Sequence, residues 1–145
     1  MKKIHLFTDG SSLGNPGFGG YCAILKFGKN EKIVSGGELL ATNNQMELKA
    51  VIEGIKALKE PCFVTVTSDS SYVVKGINEW LKGWVKKEFK NVKNPDLWRE
   101  YLKVSKPHKV LAIWVKGHSG HKENEKCDTI ARGEAEVLQA SAKGL

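Results

Sequence analysis

The pattern of the chain changes near residue 43, and this change constrains the fold more than any other feature of the sequence. Before it stand three β-type segments, near residues 3–8, 20–27 and 33–40, joined by a glycine-rich bend and by the turn FGKNEK. After it, helical patterns alternate with the short strand-like segments CFVTVTSD and KVLAIWV. An antiparallel meander followed by alternating strands and helices predicts an α/β fold. Its five-stranded mixed sheet would be antiparallel at one edge, parallel beyond it, and flanked by helices.

Helical patterns and length define the expected organisation. Residues 43–59 and 123–138 are predicted helices, and further helices are expected to begin after Ser70 or Ser71 and at Pro95. A chain of 145 residues can bury its own core, so residues 1–145 are expected to form a single domain. No apolar run could span a membrane, and the start MKKIHLF does not resemble a signal peptide. We therefore expect no membrane association and a cytoplasmic location.

The net charge and the cysteine content limit the classes of binding partner and the cysteine chemistry expected of this chain. The net charge is +7, from 23 Lys and Arg against 16 Asp and Glu. Such a charge suits a polyanion such as nucleic acid, but it is also compatible with a basic protein that has no such partner. The three cysteines lie far apart and form no CxxC pair, which favours buried free thiols over a disulfide framework or a zinc ribbon.

Two aspartates stand at matching places in the predicted strands. The first strand ends FTD, at Asp9, and the fourth ends TSD, at Asp69. If these strands are parallel neighbours, both side chains emerge at the carboxyl edge of the sheet, where open α/β sheets bind ligands. Taken singly, an aspartate in such a place is more often a turn or helix-capping residue.

Glu47 is unusual because it lies on the apolar face of a predicted helix. At about 100° per residue, Val51 and Gly54 project in nearly the same direction as Glu47. An unpaired buried carboxylate is costly, so such groups are normally ion-paired, protonated or metal-bound. The alternatives are a first-turn carboxylate favoured by the helix dipole and a partner for a buried arginine, although the chain has only Arg99 and Arg132.

Asp128 and the loop before it complete the candidate site. Asp128 lies at the border of the apolar face of the last helix, where a solvated surface aspartate is the default interpretation. Three or four converging carboxylates repel one another, and a bound cation resolves this repulsion. Ligation by oxygen alone favours Mg²⁺ or Mn²⁺. His118 and His121 suggest zinc instead, but they lack cysteine partners at ligand spacing, so zinc is disfavoured.

Five motifs occur in the same order as in type 1 ribonuclease H: FTDGSSLGNPGFGGYCAIL, TNNQMEL, TSDSSYV, NPDLW and WVKGHSGHKENEKCD. The resemblance extends from about residue 3 to residue 137. It implies a ribonuclease H-like fold with helices on both sides of the sheet. It also implies an endonuclease that hydrolyses the RNA strand of RNA–DNA hybrids and leaves 5′-phosphate and 3′-hydroxyl ends. The implied partner is the hybrid, and we expect a monomer without an organic cofactor.

The resemblance also implies the metal site. By similarity, the metal ligands are the four acids Asp9, Glu47, Asp69 and Asp128, with Asp9 as the bridging ligand. The family mechanism uses two Mg²⁺ ions about 4 Å apart when substrate is bound, and Mn²⁺ can substitute. His118, on a glycine-flanked loop, would assist proton transfer or product release. Without the resemblance it would be interpreted as a surface histidine.

Contacts to the RNA strand are implied in the same way. Asn15, Asn43 and Asn44 are similar to family residues that contact 2′-hydroxyl groups, together with backbone groups around Gly10. An amide side chain both donates and accepts, which suits a hydroxyl group that does the same. The alternative is that asparagines at the start of a helix are ordinary caps.

Contacts to the DNA strand are implied elsewhere in the chain. Thr42 and Asn94 are similar to residues of a pocket that binds a DNA-strand phosphate. Trp80, Lys86 and Lys87 belong to INEWLKGWVKKEFK, which resembles the basic protrusion of the family. The tryptophan would contact a sugar and the lysines would follow the phosphate backbone. The alternative is that the tryptophans of this segment are core residues and its lysines form a solvated face.

Some positions depart from the family pattern. Gln45 and Leu40 stand where arginine is frequent, and Ser71 stands where glutamine is frequent. These changes bear on affinity and cleavage-site preference but leave the four acids intact. A non-catalytic module that binds hybrid or duplex nucleic acid is the alternative function, and retention of all four acids favours the enzyme. A polynucleotidyl transferase of the transposase or integrase kind is disfavoured, because it usually needs further domains and 145 residues leave no room for them.

Overall fold

The computed structural model describes residues 1–117 and 121–144. No helix within these two ranges has the combination of length and apolar composition that crossing a lipid bilayer requires. The elements in chain order are β1 (Lys2–Ser12), β2 (Gly17–Phe27), β3 (Asn30–Ala41), α1 (Asn43–Lys56), β4 (Cys62–Ser68), α2 (Ser71–Lys75), a π-helical segment (Gly76–Trp80), α3 (Leu81–Lys86), α4 (Pro95–Ser105), β5 (Lys109–Trp114) and α5 (Lys122–Gly144).

The five strands form one sheet in the order β3-β2-β1-β4-β5. β1 pairs antiparallel with β2, and β2 pairs antiparallel with β3. β4 pairs in parallel with both β1 and β5. Parallel neighbours need crossover connections, which the helices between β3 and β4 and between β4 and β5 supply. The predicted mixed sheet is therefore confirmed, with its meander at one edge and its parallel strands at the other.

β1 is longer than predicted, and its two neighbours end at different points along it. The parallel pairing with β4 ends at Phe7, opposite Thr67, whereas the antiparallel pairing with β2 continues to Ser12, opposite Gly19. Asp9 therefore lies within the strand and not at its end, which corrects the prediction. The reason is that β2 goes on supplying backbone hydrogen-bond partners after β4 has stopped.

Helices cover the two faces of the sheet and enclose two apolar clusters. α1 packs on β1 and β2 and also contacts α4, while α5 packs on the same two strands and on β3. A side-chain carbon at Gly20 would lie only 2.0 Å from the carbonyl oxygen of Ala131, so glycine permits the close approach of α5. The main cluster includes Leu6, Ala23, Leu48, Val51, Ile52, Ile55, Val66 and Trp98. The smaller cluster consists of Cys22, Ile24, Cys127 and Ala131.

The helical segment after β4 is less regular than predicted. Its spacing of apolar residues suggests one helix, but the structure interrupts it with the π-helical segment Gly76–Trp80. A side-chain carbon at Gly76 would lie 2.4 Å from the Trp98 ring, so this turn lies directly against the core. Helices α1 and α5 also differ in length from the predicted helices at residues 43–59 and 123–138. α1 ends at Lys56, and α5 continues to Gly144.

Candidate active site

Three carboxylates converge beyond the end of β4. Asp9 comes from β1, Glu47 comes from α1, and Asp69 follows the last residue of β4. One oxygen atom of each carboxylate lies within 4.8 Å of the corresponding atoms of the other two. Asp9 is 6% exposed and Glu47 is 9% exposed, so two of the three side chains are largely removed from water. We call these three residues the carboxylate cluster.

The register of the parallel strands explains why Asp9 and Asp69 are neighbours. β1 and β4 pair residue by residue from Lys2 opposite Cys62 to Phe7 opposite Thr67. The same register, continued for two more residues, places Asp9 opposite Asp69. The sheet therefore holds Asp9 within β1 and places Asp69 directly after the end of β4, so the two are neighbours, as the matched FTD and TSD motifs predict.

Gly10 brings Glu47 to these aspartates. A side-chain carbon at Gly10 would lie 2.3 Å from the backbone nitrogen of Glu47, so glycine lets the start of α1 lie directly against β1. The Gly10 N–H group donates hydrogen bonds to the carboxylates of both Asp9 and Glu47. Gly10 thus lies against the carboxylate cluster, where its backbone N–H orients two of the three side chains.

The environment of the cluster raises the pKa values of two of its acids. Burial raises the pKa of Asp9 to about 7, and the charges of Asp69 and Asp128 act in the same direction. Hydrogen bonds with Glu47 and from Gly10 N–H oppose this rise. Burial also raises the pKa of Glu47 well above its usual value, and the charge of Asp9 adds to the effect. Buried carboxylates that repel one another make a favourable site for a cation.

Asp128 lies near the cluster but outside it. Its Oδ2 atom forms an ion pair with Nη2 of Arg132, one helical turn later, at 2.9 Å. It lines a small cavity together with Asp69, and its charge contributes to the raised pKa of Asp9. Asp128 is not one of the three residues whose oxygens lie within 4.8 Å of one another. The structure therefore brings the fourth acid to the border of the site.

The loop before α5 borders the same cavity. His118 lies outside the described residues. Gly117, immediately before it, lies against Asp69, since a side-chain carbon at Gly117 would be 3.0 Å from Oδ2 of that aspartate. His121, which follows the undescribed residues, lines the cavity.

The donor atoms of the cluster fit a hard divalent cation. All three groups are carboxylates, and none of the ion pairs between described residues involves them. Mg²⁺ and Mn²⁺ take oxygen ligands, whereas zinc sites are built mainly from cysteine and histidine. The residues present therefore match the class of cation that the sequence predicts.

A second group of polar residues lines an open groove between the start of α1 and the start of α4. The Asn43 N–H donates to Oδ1 of Asn15 at 3.0 Å, and the Ser12 N–H donates to Oδ1 of Asn43 at 2.8 Å. We call this feature the amide groove, and its lining residues are Asn15, Thr42, Asn43, Asn44, Lys93 and Asn94. Five of these six residues were selected from the sequence as substrate contacts, and the structure brings them together.

The basic segment around α3 forms a third region. Trp80 is 40% exposed, and its ring centroid lies 5.7 Å from that of Trp84. Trp84 in turn packs against Trp98, at a centroid distance of 5.1 Å. Lys86 and Lys87 are exposed at the end of α3. None of the residues of this segment lines the amide groove or the cavity beside Asp69.

Comparison with known proteins identifies the family. The family model described as RNase H matches residues 1–136. The chain belongs to the ribonuclease H family. The Ribonuclease H of Campylobacter concisus is 64% identical over 135 residues, which cover 93% of this chain and 94% of that protein. The Ribonuclease HI of Helicobacter pylori is 57% identical over 136 residues, which cover 94% of this chain and 95% of that protein. The resemblance to type 1 ribonuclease H is thereby confirmed.

Solved ribonuclease H structures have the same fold as this family member. LC9-RNase H1, a type 1 RNase H with the type 2 active-site motif, superposes with a TM-score of 0.87 at 28% identity. The match covers 94% of this chain and 74% of that one. LC11-RNase H1 in complex with RNA/DNA hybrid superposes with a TM-score of 0.69 at 20% identity, covering 94% and 99% of the two chains. This second likeness concerns the fold alone.

Two side chains of the groove region of this chain are not predicted from the sequence. Lys93 lines the groove beside Asn94, and its only sequence signal is that it directly precedes that residue. Gln45 contacts both Thr42 and Asn94. Its signal is the spacing of three residues between Thr42 and Gln45, which is typical of a helix capping box. Sequence analysis noted Gln45 only as a departure from the family pattern.

Proposed function

We propose that this member of the ribonuclease H family is an endonuclease that hydrolyses the RNA strand of RNA–DNA hybrids and leaves 5′-phosphate and 3′-hydroxyl ends. The observation that carries the proposal is the convergence of Asp9, Glu47 and Asp69 within 4.8 Å in a chain of this family. Clustered buried carboxylates destabilise a fold unless a cation neutralises them. A module that only binds nucleic acid has no use for such a cluster, so we favour the enzyme over the non-catalytic module.

The four acids would hold the metal ions. Asp9 lies in β1, Asp69 directly follows β4, and Glu47 lies near the start of α1, so these ligands stand on or beside rigid elements. Asp128 would complete the site from α5. We infer that Asp9 is the shared ligand, because its carboxylate lies within 4.8 Å of those of both Glu47 and Asp69 and its pKa also responds to the charge of Asp128. When bound, two Mg²⁺ ions would lower the pKa of the attacking water and stabilise the departing 3′ oxygen, and Mn²⁺ would substitute for them.

His118 would assist proton transfer or product release. Support comes from its neighbour Gly117, whose backbone lies against Asp69 and so brings the chain to the edge of the cluster. A histidine can carry a proton at neutral pH because its ordinary pKa is close to 6.5, so it suits the transfer of a proton near a phosphodiester.

The amide groove would bind the two strands on either side of the minor groove. Asn15, Asn43 and Asn44 would contact 2′-hydroxyl groups of the RNA strand, with the backbone at Gly10 as a further contact. Amide groups both donate and accept, and their position at one groove supports this assignment.

The DNA strand would be recognised by two sets of residues. Thr42 and Asn94 would bind one of its phosphates in the amide groove. Trp80 would contact a sugar through its exposed ring, and Lys86 and Lys87 would follow the phosphate backbone. Exposed lysines contribute affinity to phosphate without reading sequence, which suits an enzyme that acts on hybrids of any sequence.

We further infer a monomer that works in the cytoplasm and needs no organic cofactor. Asp9, Glu47 and Asp69 together offer three converging ligands, so the proposed metal site needs no residue from a second subunit. All three cysteines, Cys22, Cys62 and Cys127, are buried free thiols, which suits a reducing compartment.

The proposal is tested by incubating the protein with end-labelled RNA–DNA hybrid, duplex DNA and duplex RNA, with Mg²⁺ or with a chelator. We expect cleavage of the RNA strand of the hybrid alone, only with metal, and with 3′-hydroxyl ends. The variant Asp9→Asn should lose about a thousandfold or more of this activity, because several kcal/mol of transition-state stabilisation depend on the metal site.

The matched control for this variant is Asp96→Asn, which makes the same chemical change at an exposed position on α4. Its activity should equal that of the wild type. Binding of hybrid without cleavage of any strand, in Mg²⁺ and in Mn²⁺, would support the non-catalytic module instead. Cleavage of duplex DNA or joining of strands would indicate a polynucleotidyl transferase.

A further inference from the structure

Gln45 connects the two sides of the amide groove. Its side-chain Oε1 atom accepts a hydrogen bond from the backbone N–H of Thr42 at 2.9 Å. The backbone N–H of Gln45 donates in return to Oγ1 of Thr42 at 3.2 Å. These two bonds form the capping box at the start of α1. Unlike an ordinary capping residue, Gln45 then extends further, and its Nε2 atom donates to Oδ1 of Asn94 at 3.2 Å. One side chain therefore contacts both residues assigned to the phosphate pocket.

The chain of hydrogen bonds continues beyond Asn94. Nδ2 of Asn94 donates to the hydroxyl oxygen of Tyr72 at 3.2 Å. The same oxygen accepts from Nε1 of Trp98 at 2.8 Å, and the Tyr72 hydroxyl donates to the carbonyl oxygen of Lys93 at 3.4 Å. Asn94 is thus held at both ends of its amide, and its backbone has a left-handed φ of 56°. These side-chain bonds hold a conformation that asparagine tolerates better than most residues.

Groups that can only donate or only accept a hydrogen bond fix the direction of this series of hydrogen bonds. At one end stands the Thr42 backbone N–H, which can only donate, so the Gln45 amide must turn its oxygen to Thr42 and its nitrogen to Asn94. At the other end stands the carbonyl oxygen of Lys93, which can only accept, so it takes the single Tyr72 O–H proton and leaves Tyr72 to accept from Asn94. The Asn94 amide must then turn its oxygen to Gln45 and its nitrogen to Tyr72. Neither amide can flip without losing its hydrogen bonds.

This direction decides what the groove presents to a ligand. Oγ1 of Thr42 accepts from the backbone N–H of Gln45, so its own O–H proton remains for an outside acceptor, as no described residue receives it. Oδ1 of Asn94 is already occupied by Gln45, and one N–H of its Nδ2 remains after the bond to Tyr72. Lys93 lines the same groove and adds a positive charge to it. The Thr42 O–H and one Asn94 N–H are thus donors without a protein partner, and such donors are what a phosphate requires.

We propose that Gln45 is a positioning residue that sets the donor pattern of the amide groove for a backbone phosphate of the nucleic acid. The proposal rests on the proposed function, in which Thr42 and Asn94 touch that phosphate and Gln45 acts through them. A glutamine is required because the position must accept from Thr42 and donate to Asn94 at once. A carboxylate there could accept from Thr42, but it would turn the Asn94 amide round and present an oxygen to the phosphate.

The test compares Gln45→Met, which keeps the size of the side chain and removes both polar atoms, with Gln45→Glu. Steady-state cleavage of a hybrid should show KM raised about 5- to 20-fold in Gln45→Met, with kcat within about twofold of wild type, because hydrogen bonds to the ground-state substrate are lost. KM should rise further in Gln45→Glu. The control Gln139→Met makes the same change on α5 and should leave both constants unchanged.

A double-mutant cycle with Asn94→Gly distinguishes a positioning role of Gln45 from non-specific damage to the structure. Glycine adopts the left-handed backbone and has no amide, so Gln45→Met should raise KM by less than about twofold in that background. Full additivity of the two changes would overturn the proposal, as would a Gln45→Met variant with normal KM. A fall in kcat with unchanged KM would overturn it as well.

A binding measurement distinguishes failure of the role proposed for Gln45 from failure of the proposed enzymatic function. Fluorescence anisotropy of labelled hybrid with the full chain, in chelator, reports affinity without cleavage. If the wild type binds hybrid but does not cleave it, the proposed enzymatic function is wrong. The affinity of Gln45→Met relative to wild type still tests the role of Gln45, and we expect it to be weaker. Gln45→Glu and wild type should unfold at similar temperatures in these conditions, and Gln45→Met slightly lower because it loses the side-chain half of the capping box. Gln45→Leu replaces any variant that does not fold.

Discussion

The carboxylate cluster and the amide groove both gather polar side chains from distant parts of the chain, but they hold them in opposite ways. In the cluster, backbone geometry brings acids together, and burial, with the charges of Asp69 and Asp128, raises the pKa of Asp9. In the groove, the side chains are neutral or cationic, open to solvent, and fixed by hydrogen bonds to one another. The cluster therefore opposes folding until a cation binds, whereas the groove is stable without its ligand.

The largest effect expected from this difference is a dependence of stability on pH. The pKa of Asp9 is about 7 in the folded protein and near 4 in the unfolded chain, so the folded state binds more protons between these values. The contribution of Asp9 to stability is full below about pH 4 and is lost as the pH rises through about 7. In chelator at pH 8, Asp9→Asn should raise the free energy of unfolding by on the order of 2–4 kcal/mol.

Urea denaturation at pH 5 and pH 8, with Mg²⁺ or with chelator, measures this effect. Because other groups also titrate, the informative quantity is the difference between Asp9→Asn and wild type at each pH, with Asp96→Asn as the control. Mg²⁺ should raise the stability of the wild type at pH 8 and act less on Asp9→Asn. A metal-free Asp9→Asn that is less stable than wild type at pH 8 would contradict the description of the cluster as repulsive.

A smaller effect is expected in the groove, and it concerns binding. Asn94→Gly and Asn94→Ala both remove the amide, and each should raise KM for hybrid about 10-fold with little change in kcat, because a donor to a charged phosphate is lost. The two variants differ in stability, since only alanine is strained at a φ of 56°. Equal KM losses with unequal melting temperatures would separate ligand contact from backbone strain. A large fall in kcat would place Asn94 with the cluster instead.

The smallest effect expected is that of a single exposed charge. Lys93→Met should weaken hybrid binding a few-fold and reduce the slope of log affinity against log salt by about one, as expected for one phosphate contact. The control is Lys103→Met, which removes an exposed lysine from α4 outside the groove. Titrations at several salt concentrations measure both slopes. Equal slopes for the two variants would show that Lys93 contributes only to the overall charge.

Sequence analysis could predict the features that depend on periodicity and on strand register. Matching FTD and TSD motifs on parallel neighbours predict the pair Asp9 and Asp69, and the helical position of Glu47 predicts its burial. The structure brings these three together, because a regular sheet and a regular helix carry sequence spacing into space. The mixed sheet follows from the same regularity.

Other features depend on contacts that periodicity does not encode. β1 extends past Asp9 because β2 continues to pair with it, and the π-helical segment forms where Gly76 meets Trp98. The bond from Gln45 to Asn94 joins residues 49 positions apart and depends on the left-handed backbone before α4. Neither the partner nor that conformation is visible in the spacing of residues. The roles of Asp128 and His118 stay predictions.

The hydrogen atom at the α-carbon of Gly10 sets the width of the gap between β1 and α1. A methyl group there would meet backbone atoms of Met46 and Glu47 at 2.3 Å, and backbone cannot rotate aside as a flexible side chain can. Functional constellations tolerate displacements of only about 0.5 Å. A Gly10→Ala substitution should therefore disable the site although all the acids are retained, because it adds one carbon atom to a residue that has no side chain to bind the ion. The dimensions of the ion site are thus a property of helix–strand packing as much as of the acids themselves.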